Sequence, residues 1–128
     1  MNQGIIAIGA HPDDIELGCG ASLAKLSQEG FDIFAVVLTS GSKGNPFDQN
    51  RLQETSQALN LLGVTKTFFL NFEDTKLALN LHEIIITLEN IFSVHDKFHR
   101  TLILSGFCFL KIAKISLNSS FFPKPIKR

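Results

Sequence analysis

The chain has 128 residues, with 12 basic and 12 acidic side chains, and 45% of its residues are hydrophobic. This length allows one domain with a single core, and the balanced charge predicts no nucleic-acid partner and no anionic membrane surface. Two cysteines that form neither a metal motif nor a disulfide framework indicate a reducing cytoplasm. The N-terminus lacks the basic region of a signal peptide, and Lys111 interrupts the apolar stretch 101–115 before it reaches the ~18 residues of a membrane span.

The first elements in chain order are a strand, a helix and a second strand. Residues 4–10 form a continuous apolar run, as expected of a strand that is buried on both faces. Residues 15–29 predict an amphipathic helix whose apolar face includes Leu17 and Leu23, and Gly30 is its stop signal. Residues 32–39 predict the second buried strand.

The next elements repeat this alternation. A loop rich in Gly, Pro and Asn at 40–50 precedes a predicted helix at 51–63, whose apolar residues include Leu59 and Leu61. The remaining predicted elements are a strand at 65–70, a loop at 71–77, a helix at 78–94 and a strand at 101–106. Alternating strands and helices predict an α/β fold, a Rossmann-like parallel sheet with flanking helices. Its ligand site is expected at the carboxyl ends of the strands.

The charge distribution changes sharply near residue 96. Residues 1–96 contain all 12 acidic side chains, whereas residues 97–128 contain none and carry seven Lys or Arg. We therefore predict a partial α/β domain at 1–106, with a sheet that is incomplete at its C-terminal side, and an atypical basic, Phe-rich tail at 107–128.

His11, Asp13 and Asp14 directly follow the first predicted strand. An imidazole and a carboxylate three positions apart can converge on one ion, and nitrogen and oxygen ligands suit zinc. The second carboxylate would then face the metal-bound water and act as a base. The alternative is that Asp13 or Asp14 only caps the following helix while His11 bonds to nearby backbone, because Asp is among the best N-cap residues.

The stretch AHPDDIELGCGASLAKL resembles the signature of the PIG-L/LmbE-like zinc-dependent N-deacetylases. The likeness continues through VVLTSG, RLQETSQALNLLGV and FFLNFEDTKL and covers roughly residues 4–90. It implies that His11 and Asp14 bind Zn²⁺, that Asp13 is the general base and that Arg51 helps to hold the substrate. The implied reaction is hydrolysis of the acetamide of an N-acetylglucosamine-type sugar or conjugate, a small-molecule substrate. The resemblance implies no oligomeric state.

The family usually has a third zinc ligand, a His after a later strand, and the chain beyond 106 has no His, Asp or Glu. His95 and His99 precede the last predicted strand and are expected at the opposite edge of the sheet, in a solvated turn. His82 and Asp74 fall on the ligand edge. The position of His82 in the third helix more often means a partly buried surface His, and turn chemistry explains Asp74 equally well. The alternative function is therefore an inactive, truncated remnant that binds zinc weakly.

Overall fold

The computed structural model describes residues 4–41 and 50–95, together with the backbone of 103–105. In this part of the chain, four strands alternate with three α-helices, and a short 3-10 helix at Leu77–Asn80 leads into the last of them. The elements are β1 (Gly4–Gly9), α1 (Asp14–Gln28), β2 (Asp32–Val37), α2 (Arg51–Leu61), β3 (Lys66–Phe69), α3 (Leu81–Val94) and β4 (Ile103–Ser105). The predicted order of elements is confirmed, and Gly30 follows α1 with a left-handed φ of 88°.

The strands form one parallel sheet in the order β3-β2-β1-β4. The chain moves outward from β1 through β2 to β3 and then returns to the other side of β1. The direction of winding therefore reverses between β1 and β4, and in parallel sheets the ligand crevice lies at such a reversal, outside the carboxyl ends of the strands. The predicted α/β class is confirmed. The predicted tail at 107–128 lies outside the described residues.

The sheet is covered on both faces, which explains why β1 and β2 are apolar at nearly every position. The helices α1 and α2 pack on one face, around a buried cluster of Ile5, Ala7, Ile15, Cys19, Leu23, Ile33, Ala35, Val37, Leu59 and Val64. The helix α3 packs on the other face, where the buried cluster comprises Ile6, Ile8, Phe34, Val36, Leu38, Ile84 and Leu88. Because β1 is buried on both faces, it holds the turn that follows it in a fixed position.

Two predicted core positions are wrong. Leu17 of α1 is 86% exposed and Leu61 of α2 is 88% exposed. The buried stripe of α1 runs instead through Ile15, Cys19 and Leu23, which are spaced four residues apart. Leu17 lies two residues after Ile15, a rotation of about 200° around the helix axis, so it faces away from the sheet.

One described segment, Leu77–Val94, is long and apolar enough to cross a membrane when judged by length and composition alone. This segment is α3 together with the 3-10 helix before it. Ile84 and Leu88 of this segment are fully buried against the sheet, and 17% of the segment as a whole is buried. The expected lack of a membrane partner stays a prediction.

Candidate active site

The turn between β1 and α1 carries His11, Asp13 and Asp14 at the carboxyl end of β1. Gly9 makes this turn possible, because a Cβ atom there would lie 2.9 Å from Cγ1 of Ile15 and 3.2 Å from Cβ of Asp14. The helix therefore starts almost directly beneath the end of the strand. Gly18 and Gly20 lie inside α1, so they do not form a phosphate-binding loop after β1.

Asp13 occupies the N-cap position of α1 with φ 82° and ψ −23°, and its side chain makes no capping hydrogen bond. The alternative that Asp13 only caps the helix with its side chain is therefore wrong. A left-handed conformation costs a non-glycine residue about 1–2 kcal/mol, and such strained residues cluster at functional sites. The carboxylate of Asp13 is 60% exposed, and its Oδ2 lies 3.4 Å from Nη2 of Arg51.

Asp14 faces His11 instead. Its Oδ2 accepts a 2.9 Å hydrogen bond from the backbone N–H of His11 and lies 3.4 Å from Nδ1 of the same residue. The Asp14 side chain is 19% exposed, so this contact is better shielded from water than the contact between Asp13 and Arg51. The two adjacent aspartates therefore have different partners, which reduces the repulsion expected between them.

The other ring nitrogen of His11 contacts Asp74, which lies in the loop after β3. His11 Nε2 and Asp74 Oδ1 are 2.7 Å apart, and the Asp74 side chain is only 11% exposed. The same Oδ1 accepts a 2.8 Å hydrogen bond from the backbone N–H of Thr75. Asp74 therefore shapes the turn and also lies at the ligand edge, in contact with His11.

Arg51 is the first residue of α2 and contacts Asp13, whereas Asp74 contacts His11. Its Nη1 donates a 3.0 Å hydrogen bond to the carbonyl oxygen of Gly41. A Cβ atom on Gly41 would lie 2.9 Å from this Nη1 and 3.2 Å from Cδ of Pro12. The guanidinium is therefore enclosed between Gly41 and the turn, at the edge where the sequence predicts a substrate-binding residue.

Sequence reasoning missed Glu16, in the first turn of α1. Both of its carboxylate oxygens are buried without a hydrogen-bond partner in the described residues, and so is the hydroxyl of Thr55 on α2. Burial is the main cause that raises the pKa of Glu16, and the nearby charges of Asp13 and Asp14 add to it. The backbone N–H of Glu16 and the hydroxyl of Thr55 oppose the shift, but neither reaches hydrogen-bond geometry with the carboxylate. The sequence signal was a third carboxylate at a position that faces α2 and not solvent.

The other candidate residues lie elsewhere. His95 is at the opposite edge, as predicted, but its ring packs edge-on against Phe34 with 4.9 Å between ring centroids, so the expected solvated turn is wrong. His82 is exposed in the first turn of α3, and His99 lies outside the described residues.

Burial raises the pKa of the Cys19 thiol, in agreement with a packing role. Within 4–41 and 50–95, no group of three or more His, Cys, Asp or Glu side chains is arranged to hold a metal ion.

Comparison with known proteins identifies the family. Residues 6–105 match the model of the PIG-L family, the GlcNAc-PI de-N-acetylases. The chain belongs to this family. It is also 54% identical, over 89 residues, to YaiS of Escherichia coli K12, an uncharacterized deacetylase. The match covers 70% of this chain and 48% of YaiS.

Two further similar proteins have names that give their substrate. The diacetylchitobiose deacetylase of Thermococcus kodakarensis is 35% identical over 81 residues, which cover 57% of this chain and 30% of that protein. The crystal structure of N,N'-diacetylchitobiose deacetylase from Pyrococcus horikoshii superposes with a TM-score of 0.63 at 31% identity, covering 70% of this chain and 36% of that one. The chain thus spans about half the length of YaiS and about a third of the diacetylchitobiose deacetylases.

Proposed function

We propose that this PIG-L family chain acts as a zinc-dependent hydrolase that removes the N-acetyl group from N-acetylglucosamine-type sugars or their conjugates. Family membership and the two diacetylchitobiose deacetylases support this substrate class. The observation that carries the proposal is the arrangement after β1, where His11 and Asp14 form a close pair and the Asp13 carboxylate remains accessible beside them.

The His11–Asp14 pair fits a zinc ion. Nδ1 of His11 and Oδ2 of Asp14 are 3.4 Å apart. Two ligands at about 2.0–2.1 Å from a tetrahedral zinc ion are separated by about 3.3–3.4 Å, so the pair already has the required spacing. A nitrogen and a carboxylate oxygen are also the donors that zinc prefers. His11 and Asp14 would therefore hold the ion.

When bound, zinc would acidify a water molecule and polarise the acetamide carbonyl. Asp13 would accept the proton of that water as general base, because its carboxylate is 60% exposed and adjoins Asp14 without sharing its partner. Arg51 would hold the sugar with donors that its bond to Gly41 leaves available, since a guanidinium has five N–H groups.

A second candidate is an inactive remnant that binds zinc weakly, as the sequence predicted. The observation in its favour is that the described ranges offer the pair His11 and Asp14 but no group of three ligands. Fewer protein ligands give weaker binding, and a catalytic zinc site normally has three. Under this alternative, sugar can bind near Arg51 without turnover.

Zinc titration and acetate release, measured on the full chain and two variants, test these proposals. Asp14→Ala is expected to lose zinc binding and acetate release together, because it removes a ligand. Asp13→Asn is expected to keep zinc within about threefold and to lose 10²–10⁴-fold in kcat, the usual contribution of a general base. The exposed Glu29→Gln on the same helix is the control.

The outcomes separate the two candidates. Zinc bound at one equivalent with acetate release supports the deacetylase. Zinc bound without acetate release, from any N-acetylglucosamine conjugate tried, supports the remnant. Zinc that binds equally well to Asp14→Ala would overturn the ligand assignment in both.

The remaining proposals concern partners and location. A small amino-sugar substrate agrees with the names of the relatives. The balanced charge of the chain supports the absence of a nucleic-acid partner, and its cysteine usage supports a cytoplasmic location. Fractionation of cells that express the tagged chain would check the location.

A further inference from the structure

Asp74 makes a contact with His11 that neither the sequence nor the proposed chemistry assigns. The two residues are 63 positions apart in the chain, yet Oδ1 of Asp74 lies 2.7 Å from Nε2 of His11. The Asp74 side chain is 11% exposed, whereas the proposed base Asp13 is 60% exposed. A shielded carboxylate at hydrogen-bond distance from an imidazole restricts what that imidazole can do.

The restriction follows from the donors and acceptors. An ionised carboxylate only accepts hydrogen bonds, so the 2.7 Å contact requires a proton on Nε2 of His11. A neutral imidazole carries one ring proton, which leaves the lone pair on Nδ1. That nitrogen is the one 3.4 Å from Asp14. We infer that Asp74 is a positioning residue that holds His11 in the Nε2–H tautomer and aims Nδ1 at the metal site; the inference about metal rests on the proposed function.

Asp74 does not fit the role of a metal ligand on the same ion. Its 2.7 Å separation from Nε2 is shorter than the about 3.3–3.4 Å between two tetrahedral zinc ligands, and it is typical of a charge-assisted hydrogen bond. The lone-pair directions of Nε2 and Nδ1 also diverge on the imidazole ring. A single ion therefore cannot lie between Nε2 and Asp74 and also be bound by Nδ1 together with Asp14. A carboxylate behind a histidine ligand is a common way of orienting the ring.

The loop that carries Asp74 is well anchored to the sheet. The backbone N–H groups of Leu70 and Phe72 donate to the carbonyl oxygens of Val37 and Leu38, at 2.8 and 3.1 Å. Thr75 closes the turn with φ 69° while its N–H bonds Oδ1 of Asp74. The carboxylate is therefore fixed relative to the end of β2, and the position of the His11 ring follows from it.

Removal of Asp74 opens a competing state. Without an acceptor at Nε2, the proton can move to Nδ1 and form a hydrogen bond to Oδ2 of Asp14, because those atoms are only 3.4 Å apart. This state occupies both atoms that would bind the metal. Loss of a residue that orients a histidine ligand typically weakens metal affinity 10–100-fold, and we expect a loss in this range for Asp74→Ala.

The experiment uses the full chain and three variants, Asp74→Ala, Asp74→Asn and the control Glu73→Gln. Glu73 lies in the same loop and pairs with Lys76 at the surface. The first readout is the tautomer of His11, taken from long-range proton–nitrogen correlation spectra of the chelator-treated protein at a pH where the ring is neutral, with His11→Ala to assign the signal. The second readout is the dissociation constant for zinc.

The expected results differ between the variants. The native chain, Asp74→Asn and Glu73→Gln should show the Nε2–H tautomer, because the Asn oxygen still accepts the bond. Asp74→Ala should show partial or full Nδ1–H and bind zinc 10–100-fold more weakly. A purely structural role would not predict the rescue of the tautomer by Asn.

Other outcomes overturn the inference. These are an Nδ1–H tautomer in the native chain, or an Asp74→Ala variant whose tautomer and zinc affinity match the native values within twofold. If the native chain binds no zinc, the proposed function fails, and the tautomers of the metal-free proteins still decide the role of Asp74. If Asp74→Ala does not fold, an Nδ1–H tautomer in the native chain or in Asp74→Asn overturns the inference, and Nε2–H in both supports it.

Discussion

Replacement of Glu16 by Gln should stabilise the metal-free protein at neutral pH. Both carboxylate oxygens of Glu16 are buried without a hydrogen-bond partner in the described residues. Burial is the main cause of its raised pKa, and the charges of Asp13 and Asp14 add to it. Gln keeps the shape of the side chain while removing the charge, so it relieves both the desolvation of the carboxylate and the repulsion from the two aspartates.

The pH dependence follows from proton binding. The pKa of Glu16 in the folded chain is raised above the usual 4.5, which is its value in the unfolded chain. Between the unfolded and the folded pKa, the native state therefore binds more protons than the unfolded state. Stability therefore falls as the pH rises through this window, and the loss is constant above it. The advantage of Glu16→Gln should therefore be larger at pH 7 than at pH 4 and should vanish below the unfolded pKa.

The expected gain at pH 7 is about 1 kcal/mol. Leaving a charged group buried and unsatisfied costs at least about 1–3 kcal/mol. Two effects place the gain at the lower end of this range. Glu16 as a whole residue has intermediate burial, so nearby solvent screens its charge, and the Gln amide remains a buried polar group.

Urea unfolding at pH 7 and pH 4, with a chelator present, measures this difference. The matched control is Glu29→Gln at the other end of α1, where the carboxylate is 49% exposed and should matter by less than about 0.5 kcal/mol. A Glu16→Gln variant that is less stable than the native chain at pH 7 would refute the reasoning. A gain of equal size at both pH values would do so as well, because it would not come from the charge.

Two further predictions concern packing and the substrate edge. Leu23→Ala should cost about 3 kcal/mol in urea unfolding because Leu23 is fully buried, whereas Leu17→Ala, at 86% exposure on the same helix, should cost less than about 0.5 kcal/mol. Similar costs for both would mean that α1 packs through a different face. Arg51→Lys should lower kcat/KM for acetate release about tenfold, because Lys loses the fork that bonds Gly41 and contacts Asp13. An unchanged kcat/KM would mean that Arg51 does not hold the substrate.

Much of the fold could be predicted from local sequence patterns. The uninterrupted apolar runs identified β1 and β2, because a strand covered on both faces has no polar side. Gly30 marked the end of α1 through the left-handed turn that it adopts. The buried faces of the helices were less predictable, because a Leu such as Leu17 raises the apolar content of a helix whether it faces the core or solvent.

The candidate site was only half predictable for a physical reason. His11, Asp13 and Asp14 are neighbours in sequence, so their proximity needs no tertiary information. Their partners depend on tertiary structure, because Arg51 comes from the start of α2 and Asp74 from the loop after β3. The sheet edge could be predicted for both residues, but not which atoms would touch, since turn chemistry gave an equally good account of Asp74.

Asp13 and Asp14 have different contacts, and a left-handed backbone conformation at Asp13 separates the two side chains. The left-handed φ of 82° at Asp13 accompanies a side chain that contacts Arg51, while Asp14 already lies in the helix and faces His11. The exposed carboxylate can meet a substrate, and the shielded one can hold an ion next to an imidazole. Asp74 completes a series of contacts that runs from the loop after β3 through His11 to Asp14. The geometry of the proposed metal site therefore depends on a residue that lies far along the chain from the HPDD motif.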